Sequence, residues 1–139
     1  MVINKTDNIF IVHIFKEYID DINIFDIKMM ITFFKNILKK IKTKYYIKGL
    51  CNIDVYYDKK YGMILEINNY DDEIIELDVN IKFYLDSNFL IEIDNDIEGE
   101  YDNIYYYNGK YYTDYLVNSD SKIIYRNTLD IICNGLKIK

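Results

Sequence analysis

Residues 27–57 read IKMMITFFKNILKKIKTKYYIKGLCNIDVYY, and the period of their apolar positions changes once along the way. From Ile27 the apolar side chains fall at Met30, Ile31, Phe34, Ile37, Leu38 and Ile41, the three-and-four spacing of a helix that turns one stripe towards a core. Lys28, Thr32, Lys35, Lys39 and Lys42 line the outer side, and Asp26 stands where an N-terminal cap is needed. Lysines gather towards the C-terminal end, where the helix dipole favours cations. Beyond Gly49 the period drops to two: Cys51, Ile53, Val55 and Tyr57 alternate with Asn52, Asp54 and Tyr56, as in a strand with one covered face. A helix over about residues 27–42 that runs into such a strand defines the class as α+β.

Outward from this stretch, strand and turn signals alternate. Ile9–Phe15 is β-branched and aromatic, and reads as a strand. Asp58-Lys59-Lys60-Tyr61-Gly62 is a turn that returns the chain as Met63–Ile67, with a glycine suited to positive φ. Ile75, Leu77, Val79, Ile81 and Phe83 alternate with Glu76, Asp78, Asn80, Lys82 and Tyr84, a long strand with one wet face. Asp86-Ser87-Asn88 turns into Phe89–Asp94. Asn108-Gly109, set between the aromatic runs Ile104–Tyr107 and Lys110–Val117, selects a two-residue type I′ hairpin turn. Ile123–Arg126 reads as a short strand, and Thr128–Asn134 as a short helix capped by Thr128 and ended by Gly135. The expected architecture is a mostly antiparallel, hairpin-connected sheet of about 6–8 strands, with the long amphipathic helix on one face and a short C-terminal helix. With no internal repeat or proline-rich linker, residues 1–139 read as a single globular domain.

Half of the residues are hydrophobic and 29% are charged, which places the chain among globular and not disordered sequences. It has no Ala, Pro, Gln or Trp, one Arg (Arg126) and 16 Tyr, the imprint of an A+T-rich, low-GC genome. Lysine and tyrosine enrichment is therefore discounted as a sign of function. The formal net charge of -6 disfavours nucleic acid or an anionic membrane as a partner of the whole molecule. Charge is unevenly distributed, however. Residues 28–60 hold nine lysines against Asp54 and Asp58, whereas residues 66–102 hold thirteen carboxylates against Lys82. Cys51 and Cys133 are too few for a zinc site and lack a C-x-x-C spacing, so free thiols in a reducing compartment are expected. The apolar run Ile9–Phe15 contains His13 and lacks both a basic leader and a cleavage site, and no segment approaches the ~20 apolar residues of a membrane span. A cytoplasmic location is expected, with no membrane partner, and the Asn4-Lys5-Thr6 sequon is then coincidental.

Five groups of residues could carry function. Lys35, Lys39 and Lys42, followed by Tyr45 and Tyr46, combine cations for phosphate with rings for base stacking, a surface suited to RNA or another single strand. The plainer alternative is a solvated helix face. In the hairpin, a two-residue turn puts Tyr105, Tyr107 and Tyr112 on one face and Tyr106, Tyr111 and Tyr115 on the other, so an aromatic ladder could meet a partner or simply brace the strands. Glu76, Asp78 and Glu92 belong to the acidic region, which suits a basic protein. Asp94, Asp96 and Glu98 begin a calcium-loop spacing that fails where Tyr105 replaces the required bidentate glutamate, so neither a metal nor another cofactor is expected. His13, the only histidine, could serve a small hydrolase-like site, or pair with Cys51 as base and nucleophile, but its place within a strand favours a structural role. The leading expectation is a non-enzymatic, adaptor-type domain that binds another protein. Single-stranded nucleic-acid binding through the lysine-rich helix is the alternative.

Overall fold

A computed structural model describes residues 2–6, 9–45, 50–69, 78–94, 101–117 and 121–139. The fold is α+β, with mostly antiparallel strands as expected. Ten strands and two α-helices are formed among the described residues: β1 (Val2–Thr6), β2 (Ile9–Phe15), α1 (Ile27–Lys44), β3 (Leu50–Asp58), β4 (Gly62–Asn69), β5 (Asp78–Tyr84), β6 (Leu90–Ile93), β7 (Ile104–Tyr107), β8 (Lys110–Asp114), β9 (Ile123–Ile124), α2 (Thr128–Asn134) and β10 (Leu136–Lys137). They divide into two five-stranded sheets, ordered β1-β2-β4-β3-β5 and β10-β7-β8-β6-β9, instead of one sheet of about 6–8 strands. Patterning along a strand reports which face is covered but not which strand lies beside it. The extra strands are β1 and β10, too short or too mixed to show a period. The chain clusters into two compact units, residues 1–55 with 59–83, and residues 56–58 with 84–139.

In the first unit, α1 begins at Asp26, whose side chain accepts a hydrogen bond from the Met29 amide at 3.2 Å. Its buried stripe is Met30, Phe34, Ile37, Leu38 and Ile41. On the sheet, Phe10, Val12 and Ile14 of β2 are buried opposite Ile67, Leu65 and Met63 of β4, and Cys51, Ile53 and Val55 are buried along β3. Phe34 meets Phe83 of β5 with ring centroids 6.0 Å apart, so the stripe faces the sheet. Ile27 departs from the expected stripe and is 73% exposed. Periodicity sets the direction of a helical side chain but not how far the layer beneath it extends, and burial starts one turn further on, at Met30. The turn into β4 needs its glycine: Gly62 has φ +111°, and a Cβ there would be driven into the Ile14 carbonyl. The expected strand from Ile75 is described from Asp78 onward; Ile75, Glu76 and Leu77 lie outside the described residues.

In the second unit, Asn108 (φ 48°) and Gly109 (φ 81°) form the expected I′ turn, and the register pairs Tyr107 with Lys110, Tyr106 with Tyr111 and Tyr105 with Tyr112. Leu90 and Ile91 are both buried, so β6 is covered on two faces where the alternation had suggested one. The cap of α2 also differs from expectation. Asn127 (φ 55°) precedes the helix without a side-chain cap, and the Thr128 hydroxyl instead accepts a hydrogen bond from the Asn88 amide at 3.0 Å. Gly135 ends α2 with an ordinary negative φ, and is required because a Cβ would meet the Ile131 carbonyl and approach the Tyr106 carbonyl to 3.1 Å.

Candidate interaction surfaces

The tyrosine hairpin has two unlike faces. Tyr105 is buried with Leu90 of β6 and Ile131 of α2, and Tyr107, Tyr112, Ile124 and Ile132 pack around them. The Tyr105-Tyr107-Tyr112 face is therefore largely the seat of α2, and burial pushes the Tyr105 phenol pKa upward, with the Asp114 charge adding to the shift. The opposite face carries a row across four strands. Leu136 of β10 stands opposite Tyr106 of β7, Tyr106 opposite Tyr111 of β8, and Tyr111 opposite Ile93 of β6. The Tyr106 and Tyr111 rings lie 5.0 Å apart at 50°. Leu136 is 66% exposed and Tyr106 38%. Sequence reasoning missed this row because β10 has only two residues, too few to show alternation.

Six of the thirteen carboxylates of residues 66–102 lie among the described residues. Glu92 sits on β6 opposite Tyr112 and forms an exposed ion pair with Lys110 at 3.7 Å, a contact worth about 0–1 kcal/mol. Asp78 lies in β5, and Asp86, Asp94 and Asp102 are exposed. Glu76, Asp96 and Glu98 lie outside the described residues. Among the described residues no group of three or more His, Cys, Asp or Glu side chains is arranged to hold a metal ion.

Lys28, Lys35, Lys39, Lys40 and Lys44 are exposed on α1, which has no acidic residue anywhere in its sequence. Lys42 occupies a helical position whose side chain is not described, and Tyr46 lies outside the described residues. Tyr45 caps the helix, its amide donating to the Ile41 carbonyl at 2.7 Å, and its ring meets Phe10 edge-on at 5.2 Å. The Lys44 ammonium lies 5.4 Å from the Tyr45 ring centroid, and the Lys5 ammonium of β1 lies 5.6 Å from the same centroid. Lys5 was not foreseen, because only the pairing of β1 with β2, which sets Lys5 opposite Phe10, carries it to the far end of α1.

The groups considered for catalysis are held apart. His13 is buried on β2 beside Phe15, and desolvation lowers its pKa, opposed by a backbone hydrogen bond with Tyr61. Cys51 is buried on β3, where burial pushes the thiol pKa up although its sulfur accepts from Asn69 Nδ2 at 3.4 Å. β4 runs between β2 and β3, so the two strands are two spacings apart, about 9.6 Å. A nucleophile and its base need hydrogen-bond reach. Both cysteines are free thiols, Cys51 buried and Cys133 exposed. No helix among the described residues is long and apolar enough to cross a membrane. No protein-family model matches the chain, and neither a curated protein nor a solved structure matches it.

Proposed function

We propose that the chain is a non-enzymatic interaction domain that presents the exposed Leu136–Tyr106 end of one face of its second sheet to another protein. The supporting observation is the row Leu136-Tyr106-Tyr111-Ile93, large side chains set side by side on paired strands with Leu136 and Tyr106 exposed. Apolar side chains displayed together on a rigid sheet are what a partner can desolvate at low entropic cost, and tyrosine supplies much area for two rotatable bonds. The exposed carboxylates of Asp86, Asp94 and Asp102 favour a partner with basic groups, through faster encounter more than tighter binding.

The test compares affinity capture by the wild-type chain and by Tyr106→Ser/Leu136→Ser, with both baits first shown to have the same circular dichroism and melting temperature. A protein enriched by the wild type and lost from the variant supports the reading. The same proteins at the same yield on both baits would overturn it. With the partner in hand, Asp94→Lys/Asp102→Lys should slow association several-fold and leave dissociation nearly unchanged.

A further inference from the structure

A second, well-defined side-chain cluster lies at the C-terminal end of α1. Two ammonium groups from different elements, Lys5 of β1 and Lys44 of α1, both sit within 5.6 Å of the Tyr45 ring centroid, and Phe10 supports that ring from its edge. Neither lysine forms an ion pair with a described residue, as the ion pairs Lys16–Asp20 and Lys110–Glu92 use other cations. Like charges drawn to one ring repel each other, and an anion between them removes the repulsion. The cluster continues along the helix to Lys40. At 100° per residue, the exposed Lys40 falls about 40° from Lys44 and about 6 Å of helix rise before it.

We propose that this end of α1, together with β1, is a binding site for single-stranded nucleic acid. A base stacks on the Tyr45 ring, Lys5 and Lys44 hold the phosphates on either side of it, and Lys40 takes the phosphate that follows. The ring decides between anions. A polyphosphate or a lipid headgroup would satisfy the lysines but has no planar group for Tyr45, whereas every base has a π-face. The cations are lysine and not arginine, so the site lacks the planar fork that reads base edges, and binding is tolerant of sequence. The net charge of -6 does not oppose this. At physiological ionic strength a charge is felt over about 8 Å, so the nearby Lys5, Lys40 and Lys44 act on a bound phosphate more than the net charge of the whole chain does. The site depends on none of the residues assigned to protein binding.

Fluorescence anisotropy with a labelled oligouridine of roughly twelve nucleotides tests it, with inorganic polyphosphate and phosphatidylserine vesicles as the other arms. Between about 50 and 200 mM salt, log affinity for the oligonucleotide should fall with a slope of about -2, the value for three neutralised phosphates on a single strand. Tyr45→Leu should weaken oligonucleotide binding about tenfold and leave polyphosphate binding unchanged. Lys5→Gln/Lys44→Gln, which removes no buried group and serves if Tyr45→Leu disturbs the helix, should make the slope shallower by about 1.4. Absence of binding at low salt, a Tyr45→Leu variant of wild-type affinity in a folded protein, or equal affinity for polyphosphate or vesicles would each overturn the proposal. In the second unit, Tyr106→Ser/Leu136→Ser should bind the oligonucleotide like the wild type, so failure of the protein-binding reading and failure of this one are read separately.

Discussion

Asp58 offers the sharpest test of how the second unit is held together. It ends β3 with a buried side chain, and its Oδ2 accepts the amide proton of Phe89 at 2.7 Å. Phe89 is itself buried, so Asp58→Ala removes a charged acceptor from a donor that water does not readily reach. A net hydrogen bond to a charged group is worth about 1.5–3 kcal/mol, and a loss of about 2 kcal/mol is expected. With a urea m-value of about 1.5 kcal/mol/M, the midpoint should fall by about 1.3 M. Asp58→Asn keeps an acceptor oxygen of similar reach and should lose about half as much. Urea titration followed by far-ultraviolet circular dichroism reads both variants against the wild type, at constant m. The reasoning fails if Asp58→Ala stays within about 0.5 kcal/mol of the wild type, or if the asparagine variant is as unstable as the alanine variant.

Three further outcomes follow from local geometry. Gly62→Ala should destabilise by at least about 2 kcal/mol more than Gly109→Ala. Both glycines have positive φ, but the new Cβ at 62 meets the Ile14 carbonyl and the Lys16 amide while that at 109 meets nothing within 4 Å, and paired thermal melts measure the difference. Cys133 is exposed and Cys51 is buried, so a disulfide reagent should label one thiol per native chain and two in denaturant; rapid labelling of two in the native state would contradict this. Because burial lowers the folded-state pKa of His13 below 6.5, its contribution to stability is whole above that value and is lost as pH falls through the folded pKa. His13→Gln should therefore flatten part of the stability loss between about pH 7 and pH 5 in urea titrations, and an unchanged pH slope would refute the assignment.

Where local chemistry dictated structure, the sequence was readable. The helix over Ile27–Lys44, its Asp26 cap, the Gly62 turn and the Asn108-Gly109 hairpin each rest on a few adjacent residues whose sterics or hydrogen bonds leave little choice. Long-range pairing was not readable. Nothing local tells Leu136 that it will stand beside Tyr106, and nothing in Val2–Thr6 announces an edge strand on β2. The candidate sites divide the same way. Tyr45 was visible as the aromatic residue that follows the lysine-rich helix, whereas Lys5 reached it only through the β1–β2 register. The tyrosine alternation was legible, but which face stayed exposed depended on where α2 packed, and it packed over Tyr105.

The two proposed surfaces differ in the force that would drive them, and this makes them separable in one experiment. Contact through Tyr106 and Leu136 comes from desolvating apolar area, which salt changes little. Contact through Lys5, Lys44 and Tyr45 releases counterions from phosphates, so it weakens steeply as salt rises. Material captured by the wild-type chain and eluted along a salt gradient should therefore lose nucleic acid first and retain protein to higher ionic strength. If protein and nucleic acid instead leave together, the captured protein is held through the nucleic acid. The Tyr106 surface then has no partner of its own, and Tyr45→Leu should remove both at once.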